Sequence, residues 1–202
     1  MSDNKIRCTW CQGDAVDEHY HDTQWGVPIH EDHLWFECIT LEGAQAGLSW
    51  RTIVNKIEGY QQSFQNFNIE KVAKMTDAQL DKLLKDPKIV RNRLKVYSTR
   101  NNAQQMLKVQ HEFSSFNNYI WGFVNHKPIV NTATSLSDIP TTTNISDAMS
   151  KDLKKRGFKF VGSTICYALM QAAGMVNDHE IGCFRYEACT KLGNDTQKKT
   201  EL

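Results

Sequence analysis

The chain has 202 residues, 40% of them hydrophobic, and a formal net charge of only +1. This length predicts one domain, or two closely packed lobes, around a substantial core, and the total charge says nothing about a polyanionic partner. No apolar run approaches the length of a membrane span, and residues 1–5 lack the apolar core of an export signal. We therefore expect a soluble cytoplasmic protein, with no membrane partner, whose six cysteines are thiols or metal ligands rather than disulfides.

The first half of the chain predicts helices. Apolar residues recur at helical spacing over residues 33–49, and Gly59 then interrupts the pattern. Thr76 and Gln79 have the spacing of a capping box, which opens a short helix that ends before Pro87.

The second half continues in the same way. We predict long helices over residues 91–110 and 116–124, followed by an extended segment over 127–130. After a polar loop over residues 138–144, Ser146 is a candidate N-cap for a helix that ends at Lys155. A further helix is predicted over residues 163–173. Strand-like alternation is scarce, so the predicted fold class is all-α.

The most informative segment is residues 41–50. It places Glu42 and Trp50 in an otherwise apolar run, with Gly43 and Gly47 between them. A buried carboxylate is costly unless it has a function, and the flat face of a Trp suits stacking. Glycines let a flat ligand approach the backbone. The segment therefore predicts a site that reads a nucleobase; the alternative is a solvated Glu and a Trp that only fills the core.

Positive charge is concentrated in two segments. Residues 85–100 carry six basic side chains and one acidic side chain, and residues 151–159 carry five and one. Two such patches on a nearly neutral protein suit a polyanion bound on one face. The alternative is a pair of ordinary solvated helix faces.

Residues 153–174 predict a hairpin between two helices. A basic helix ends at Gly157, a short turn closes at Gly162, and an apolar helix begins at Ser163. The free N–H groups at that helix start, with nearby Lys and Arg side chains, form an anion site. The pattern resembles the helix-hairpin-helix with which DNA repair glycosylases hold a phosphate backbone, and the alternative is an ordinary αα-hairpin. The predicted backbone contacts are Lys155, Gly157, Lys159, Gly162, Ser163 and Thr164.

Cysteines and histidines near the two ends of the chain suggest a metal site. His179 and Cys183 are four residues apart, so they would share one side of a helical turn. Zinc takes four nitrogen or sulfur ligands in a closed structural site. Spacing alone favours Cys8 and Cys11 as the other two ligands; alternatively, these cysteines are free thiols and the histidines lie at the surface.

Taken together, these segments resemble the 3-methyladenine DNA glycosylase I family. The resemblance covers roughly residues 7–186 and departs from the family pattern at Cys11 and at Asp17, where an aromatic residue is common. Its matching segments are Arg7-Cys8, Trp10, Tyr20-His21-Asp22, Trp25 to Pro28, Leu41 to Trp50, Phe123 to His126, Ser146 to Lys151, Leu153 to Gly162, Thr164 to Tyr167, Val176 to His179 and Gly182-Cys183.

The resemblance implies a fold of the helix-hairpin-helix glycosylase superfamily with one structural Zn²⁺ per chain. The metal would join the two ends of the domain, and His21 replaces Cys11 in the implied ligand set of Cys8, His21, His179 and Cys183. The implied activity is excision of N3-methyladenine from alkylated double-stranded DNA, which leaves an abasic site without lyase cleavage. Free 3-methyladenine would be the product ligand.

The resemblance also implies residue roles. Glu42 would be the catalytic residue that contacts the base edge, Trp50 would stack on the ring, and Tyr20 would line the pocket. Methylation at N3 makes the base cationic, so a carboxylate and an aromatic face favour it over neutral adenine. Relatives elsewhere in the superfamily use an Asp after the hairpin, but we assign Asp178 no catalytic role.

We expect a monomer with a flexible N-terminus over residues 1–6, one glycosylase domain over residues 7–187 and a flexible tail over residues 188–202. The main alternative function is a non-catalytic, zinc-stabilised DNA-binding module. A catalytic zinc hydrolase is less favoured because four protein ligands would leave no open position on the metal.

Overall fold

The computed structural model describes the backbone of residues 4–200 and the side chains of residues 4–194. Most of this part of the chain is helical, as predicted. Its helices are α1 (Ala15–Thr23), α2 (Asp32–Gln45), α3 (Trp50–Val54), α4 (Ile57–Ser63), α5 (Ile69–Ala73), α6 (Asp77–Leu83), α7 (Arg93–Phe113), α8 (Phe116–Trp121), α9 (Asn144–Lys155), α10 (Ser163–Ala172) and α11 (Arg185–Thr200).

Two short strands accompany the helices. Strands β1 (Ile129–Val130) and β2 (Val176–Asn177) pair in parallel, with Ile129 opposite Val176. The pairing confirms the extended segment predicted over residues 127–130. Because β2 follows α10 and leads to His179, the pair helps to hold the C-terminal segment against the body of the fold.

Helix α2 runs through the centre of the core. Its Trp35, Phe36 and Ile39 are almost fully buried, whereas His33 near its start is exposed. It packs against α7, α8 and α10. Each fully buried large side chain contributes about 1.5–3 kcal/mol. This packing places Glu42, near the C-terminal end of α2, inside the protein.

Two local predictions need correction. The N-cap of α9 is Thr143, whose hydroxyl accepts from the Ser146 backbone N–H, and Ser146 closes the capping box instead of opening the helix. Gly59 lies inside α4 rather than ending a helix. The capping box of Thr76 and Gln79 is confirmed at the start of α6.

The chain ends were predicted to be flexible over residues 1–6 and 188–202. Residues 1–3 and 201–202 lie outside the described residues, and residues 188–200 belong to helix α11. The backbone there is helical, and its flexibility stays a prediction. Among the helices that the structure describes, none combines the length and the apolar character of a membrane span.

Candidate functional site

Four side chains from opposite ends of the chain converge on one point. The ligand atoms of Cys8, His21, His179 and Cys183 all lie within 4.8 Å of one another. The sulfur of Cys183 lies 3.4 Å from His21 Nε2 and 3.7 Å from His179 Nδ1, and the sulfur of Cys8 lies 3.5 Å from His179 Nδ1. Tetrahedral zinc separates its sulfur and nitrogen ligands by about 3.5 Å. The donor set and its spacing therefore fit a tetrahedral metal ion.

Outer hydrogen bonds orient both histidines of this cluster. His21 Nδ1 bonds the Asp22 carboxylate at 2.8 Å, and Arg7 holds that carboxylate with bonds of 3.0 and 2.8 Å. His179 Nε2 lies 3.2 Å from the carbonyl oxygen of Trp25. Each ring therefore directs its other nitrogen toward the centre of the cluster, as the outer partners of metal ligands do.

The two sulfurs of the cluster are also supported. The backbone N–H groups of Glu180 and Arg185 donate to Cys8 and Cys183 at 3.3 and 3.4 Å. A hydrogen bond from Cys8 holds the pKa of Cys183 well below its usual range, and the same contact, with burial, raises the pKa of Cys8. Without a cation, Cys8 and Cys183 therefore favour a state in which only one of the two thiols is ionised. A divalent cation between the sulfurs would let both ionise.

The structure separates Cys11 from the cluster. Its thiol donates to the carbonyl oxygen of Cys8 at 3.2 Å, so the sulfur turns back along its own chain. The first spacing-based set is therefore wrong at this position, and His21 completes the four. His179 and Cys183 converge from an irregular turn between β2 and α11, not from the helical turn that their spacing predicted.

Two adjoining cavities of about 310 and 210 Å³ lie beside the cluster. Tyr20, Glu42 and Trp50 line both of them, so the three predicted base-binding residues come together. The rings of Tyr20 and Trp50 lie 4.9 Å apart between centroids and are inclined by 46°. Glu37 also lines the larger cavity, and Glu42 supplies the one carboxylate that the two aromatic-walled cavities share.

Glu42 is the electrostatic centre of this pocket. It is 5% exposed, and no group in the described part of the chain donates a hydrogen bond to its carboxylate. Burial raises its pKa to about 8. Burial also raises the pKa of Tyr20, and the Glu42 charge adds to that shift. The pocket therefore favours a ligand that brings a positive charge or a hydrogen-bond donor.

The two glycines between Glu42 and Trp50 do not face the pocket as predicted. A side chain at Gly43 would meet Phe160 of the hairpin at 3.1 Å, so Gly43 lets α2 and the hairpin approach each other. Gly47 has φ +75° and nothing within 4 Å of its side-chain position. Its role is the left-handed turn that carries the chain from α2 to α3.

The predicted DNA-backbone residues lie around the hairpin between α9 and α10. The side chain of Asn102 donates to the Lys159 carbonyl oxygen at 3.0 Å and accepts from its N–H at 2.8 Å. The Asn101 amide donates to the Gly157 carbonyl oxygen at 2.8 Å. These bonds fix the turn, and the exposed N–H groups of Ser163 and Thr164 begin α10 with no acceptor among the described residues.

The basic segment over residues 85–100 is largely occupied by internal contacts. Arg93 pairs with Asp81 at 2.8 Å and Arg100 with Asp77 at 2.7 Å. Lys95 donates to the carbonyl oxygens of Ala44 and Ala46, both at 2.7 Å, and so completes the C-terminal end of α2. This segment fits the alternative of a structural helix face better than a DNA contact.

Asp17, where the family often has an aromatic residue, lies 3.3 Å from the guanidinium of Arg51. The same guanidinium lies 2.8 Å from Asp14. These contacts tie α1 to α3 beside Trp50.

Trp10, Trp25 and Gln171 also line the smaller cavity. The Trp10 and Trp25 rings lie 5.2 Å apart, and Trp25 lies 4.6 Å from the ring of His179. Through these ring contacts, the two Trp residues connect the Cys/His cluster to the cavity wall. Both lie in segments that carried the family resemblance, but a lone Trp is by default a core residue.

Comparisons with known proteins agree with this geometry. A family model described as methyladenine glycosylase matches residues 10–186. The DNA-3-methyladenine glycosylase 1 of Escherichia coli (strain K12) is 49% identical over 180 residues, which cover 89% of this chain and 96% of that protein.

Solved structures give the same result. A crystal structure of 3-methyladenine DNA glycosylase I matches with a TM-score of 0.86 and 46% identity, over 89% of this chain and 98% of the other. A variant of a 3-methyladenine DNA glycosylase I in complex with 3-methyladenine matches with a TM-score of 0.86 and 37% identity, over 89% and 97%.

Proposed function

The chain belongs to the methyladenine glycosylase family, and from that membership we propose that it hydrolytically removes N3-methyladenine from alkylated double-stranded DNA. The observation that carries the proposal is the buried, unpartnered carboxylate of Glu42 in a cavity walled by Tyr20 and Trp50. A crystallised relative holds 3-methyladenine. The products would be the free base and an abasic site, with no lyase cleavage.

The chemistry begins with the substrate's own charge. Methylation at N3 makes the base cationic and weakens its bond to the sugar, so the base leaves neutral without a strong general acid. The enzyme must flip the base out of the duplex, recognise it and admit water. Glu42 accepts from the exocyclic amine, and its ionised form favours the cation.

The aromatic residues supply the rest of the recognition. Stacking of the cationic base on Trp50 adds a cation–π contribution of about 0.5–2 kcal/mol, and Tyr20, whose ring contacts that of Trp50, lines the same pocket. Neutral adenine gains less from both contacts. The pocket thus selects a base that alkylation has already prepared to leave.

The hairpin would hold the DNA during this step. The N–H groups of Ser163 and Thr164 point out from the start of a ten-residue helix, where the helix dipole favours a phosphate. Lys155 and Lys159 are exposed beside them. Their side chains would neutralise phosphates, and the bonds from Asn101 and Asn102 keep the turn rigid.

We further propose that the metal is a structural Zn²⁺, held by Cys8, His21, His179 and Cys183. The buried S₂N₂ donor set and its outer hydrogen bonds support this choice. When bound, the ion would cross-link the N-terminal segment to the turn before α11. Since four protein ligands fill a tetrahedron, the zinc hydrolase alternative lacks an open position.

The non-catalytic DNA-binding module remains the competing proposal. The hairpin and the metal cluster would serve it equally well, but it gives no reason for a buried carboxylate in an aromatic cavity. We also propose that the protein acts in the cytoplasm, where bacterial DNA lies, and that it acts as a monomer.

The deciding experiment incubates metal-loaded protein with methylated duplex DNA and follows free bases by chromatography. We expect release of 3-methyladenine, with an equal number of abasic sites and no strand cleavage. A well-folded, metal-loaded protein that binds DNA but releases no base would favour the DNA-binding module.

A further inference from the structure

Asp178 is a buried carboxylate that the proposed chemistry does not use. It is 2% exposed and accepts three hydrogen bonds, from Asn131 Nδ2 at 2.6 Å, the Tyr167 hydroxyl at 2.8 Å and Gln171 Nε2 at 2.8 Å. All three donors are neutral, and none of the ion pairs among the described side chains involves Asp178. A buried charge without a cationic partner is costly, which indicates a function beyond structure.

The contact between Asp178 and Gln171 determines how the Gln171 amide is turned. A carboxylate only accepts hydrogen bonds, so Gln171 must direct its NH₂ group at Asp178. The other branch of the amide is the carbonyl oxygen Oε1, which has no donor among the described residues. The bond to the carboxylate also polarises the amide and strengthens Oε1 as an acceptor.

Gln171 lines the smaller cavity together with Glu42 and Trp50. Besides the Gln45 amide and the Tyr20 hydroxyl, the wall of that cavity therefore includes two acceptors, the ionised carboxylate of Glu42 and the carbonyl oxygen of Gln171. They come from different helices, α2 and α10. Because Asp178 fixes the amide, the second acceptor cannot turn into a donor without losing a buried hydrogen bond.

We propose that Gln171 is a second base-reading residue and that Asp178 is its positioning residue, which keeps the Gln171 carbonyl oxygen directed at the base. The inference rests on the proposed function. Adenine carries an exocyclic amine with two N–H donors, which matches two acceptors. Guanine has a carbonyl oxygen at the same ring position, which two acceptors would repel. The pair therefore selects 3-methyladenine over 3-methylguanine.

Three variants separate this role from a structural one. Gln171→Met keeps the length of the side chain and removes the acceptor. Asp178→Asn provides an NH₂ group that can donate to Gln171 Oε1, so the Gln171 amide can turn its own NH₂ to the cavity. Tyr167→Phe is the matched control, because it removes one bond to Asp178 and leaves the bond to Gln171.

The experiment measures the dissociation constants of free 3-methyladenine and free 3-methylguanine by tryptophan fluorescence, with thermal unfolding in parallel. The wild type should prefer 3-methyladenine. Loss of one hydrogen bond should reduce that preference roughly 3-fold to 10-fold in Gln171→Met and Asp178→Asn. Tyr167→Phe should unfold at a lower temperature with the preference unchanged.

Each other result has a distinct meaning. A Gln171→Met protein that keeps the wild-type preference overturns the inference and leaves the proposed function standing. So does an Asp178→Asn protein that loses affinity for both bases equally. If Asp178→Asn fails to fold, Gln171→Met decides alone. A wild type that binds neither base and releases none from DNA overturns the proposed function itself.

Discussion

The Cys/His cluster (Cys8, His21, His179 and Cys183) and the cavity beside Glu42 are neighbours. Tyr20 of α1 lines the cavity, and the next residue, His21, belongs to the cluster. The two sites differ in how well the hydrogen-bonding needs of their polar groups are satisfied. Around the cluster, His21, His179 and both sulfurs have outer hydrogen-bond partners. In the cavity, no described group donates a hydrogen bond to the Glu42 carboxylate, and the buried Nε1 atoms of Trp10 and Trp50 have no acceptor in the same part of the chain.

The difference separates a site that is complete within the protein from one that needs a ligand. An unsatisfied buried polar group costs about 1–3 kcal/mol. The cluster avoids that cost and joins the two ends of the domain. The cavity retains this cost, which is expected of a site proposed to bind a cationic base that carries hydrogen-bond donors. The comparison predicts that damage to the cluster reduces stability, whereas damage to the cavity reduces binding.

The largest effect should follow Cys183→Ser. Loss of one thiolate should prevent tight metal binding and remove several kcal/mol of stability, since metal binding contributes directly to folding. Metal content and thermal unfolding measure the result. Cys11→Ser is the control and should keep one zinc per chain. The reverse pattern would restore Cys11 as a ligand.

The next effect is a pH dependence caused by Glu42. Burial raises its pKa from 4.5 to about 8, so between these values the folded protein holds a proton that the unfolded chain has released. Stability should fall as the pH rises through this window, by at most about 1.4 kcal/mol per pH unit, and become level above it.

The same titration should affect catalysis in the opposite direction. Excision should increase toward pH 8, because the ionised carboxylate favours the cationic base. Thermal unfolding and excision rates across this range, with Glu42→Gln as the control, measure both trends. A wild type whose two profiles match those of Glu42→Gln would show that Glu42 does not titrate there.

Trp50→Ala should weaken binding of free 3-methyladenine by about 1–3 kcal/mol, because the neutral base loses the aromatic face on which it stacks. Trp50→Phe keeps an aromatic face and removes an unsatisfied N–H group, so it should bind almost as well as the wild type. Calorimetric titration gives both affinities. Equal binding by the wild type and Trp50→Ala would remove Trp50 from the pocket.

The smallest effect concerns the DNA backbone. Lys159→Ala should weaken DNA binding uniformly across sequences and reduce the slope of log affinity against log salt by about 1. Lys85→Ala, from the segment that is mostly engaged in internal contacts, should leave the slope unchanged. Equal slopes for both variants would argue against the hairpin as the DNA contact.

Much of this arrangement could be predicted from the sequence because it follows local patterns. The long helices follow the apolar periodicity, and Thr76 with Gln79 specifies a cap without tertiary help. Spacing alone also identified Cys8, His179 and Cys183. It favoured Cys11 over His21, because it could not show the direction in which the turn at residues 9–11 points the Cys11 sulfur.

The remaining features depend on contacts between distant segments. Position 43 requires a residue without a side chain because Phe160 packs against it. Phe160 is more than a hundred residues away along the chain. In the sequence, Gln171 is an ordinary polar residue of an apolar helix. Only the fold shows that its amide donates to Asp178. Periodicity reports which face of a helix is buried, but not which partner that face meets.

The most direct measurement of the difference between cluster and cavity follows 3-methyladenine affinity and thermal unfolding together in the wild type and Glu42→Gln. Measured above pH 8, where Glu42 is ionised, the change to glutamine keeps the shape and removes a buried charge that no described group compensates. The variant should lose affinity about tenfold or more, as expected when a charge-assisted hydrogen bond is lost, and unfold at the same temperature or higher. Wild-type affinity with a markedly lower unfolding temperature would contradict the account, because Glu42 would then be a structural residue.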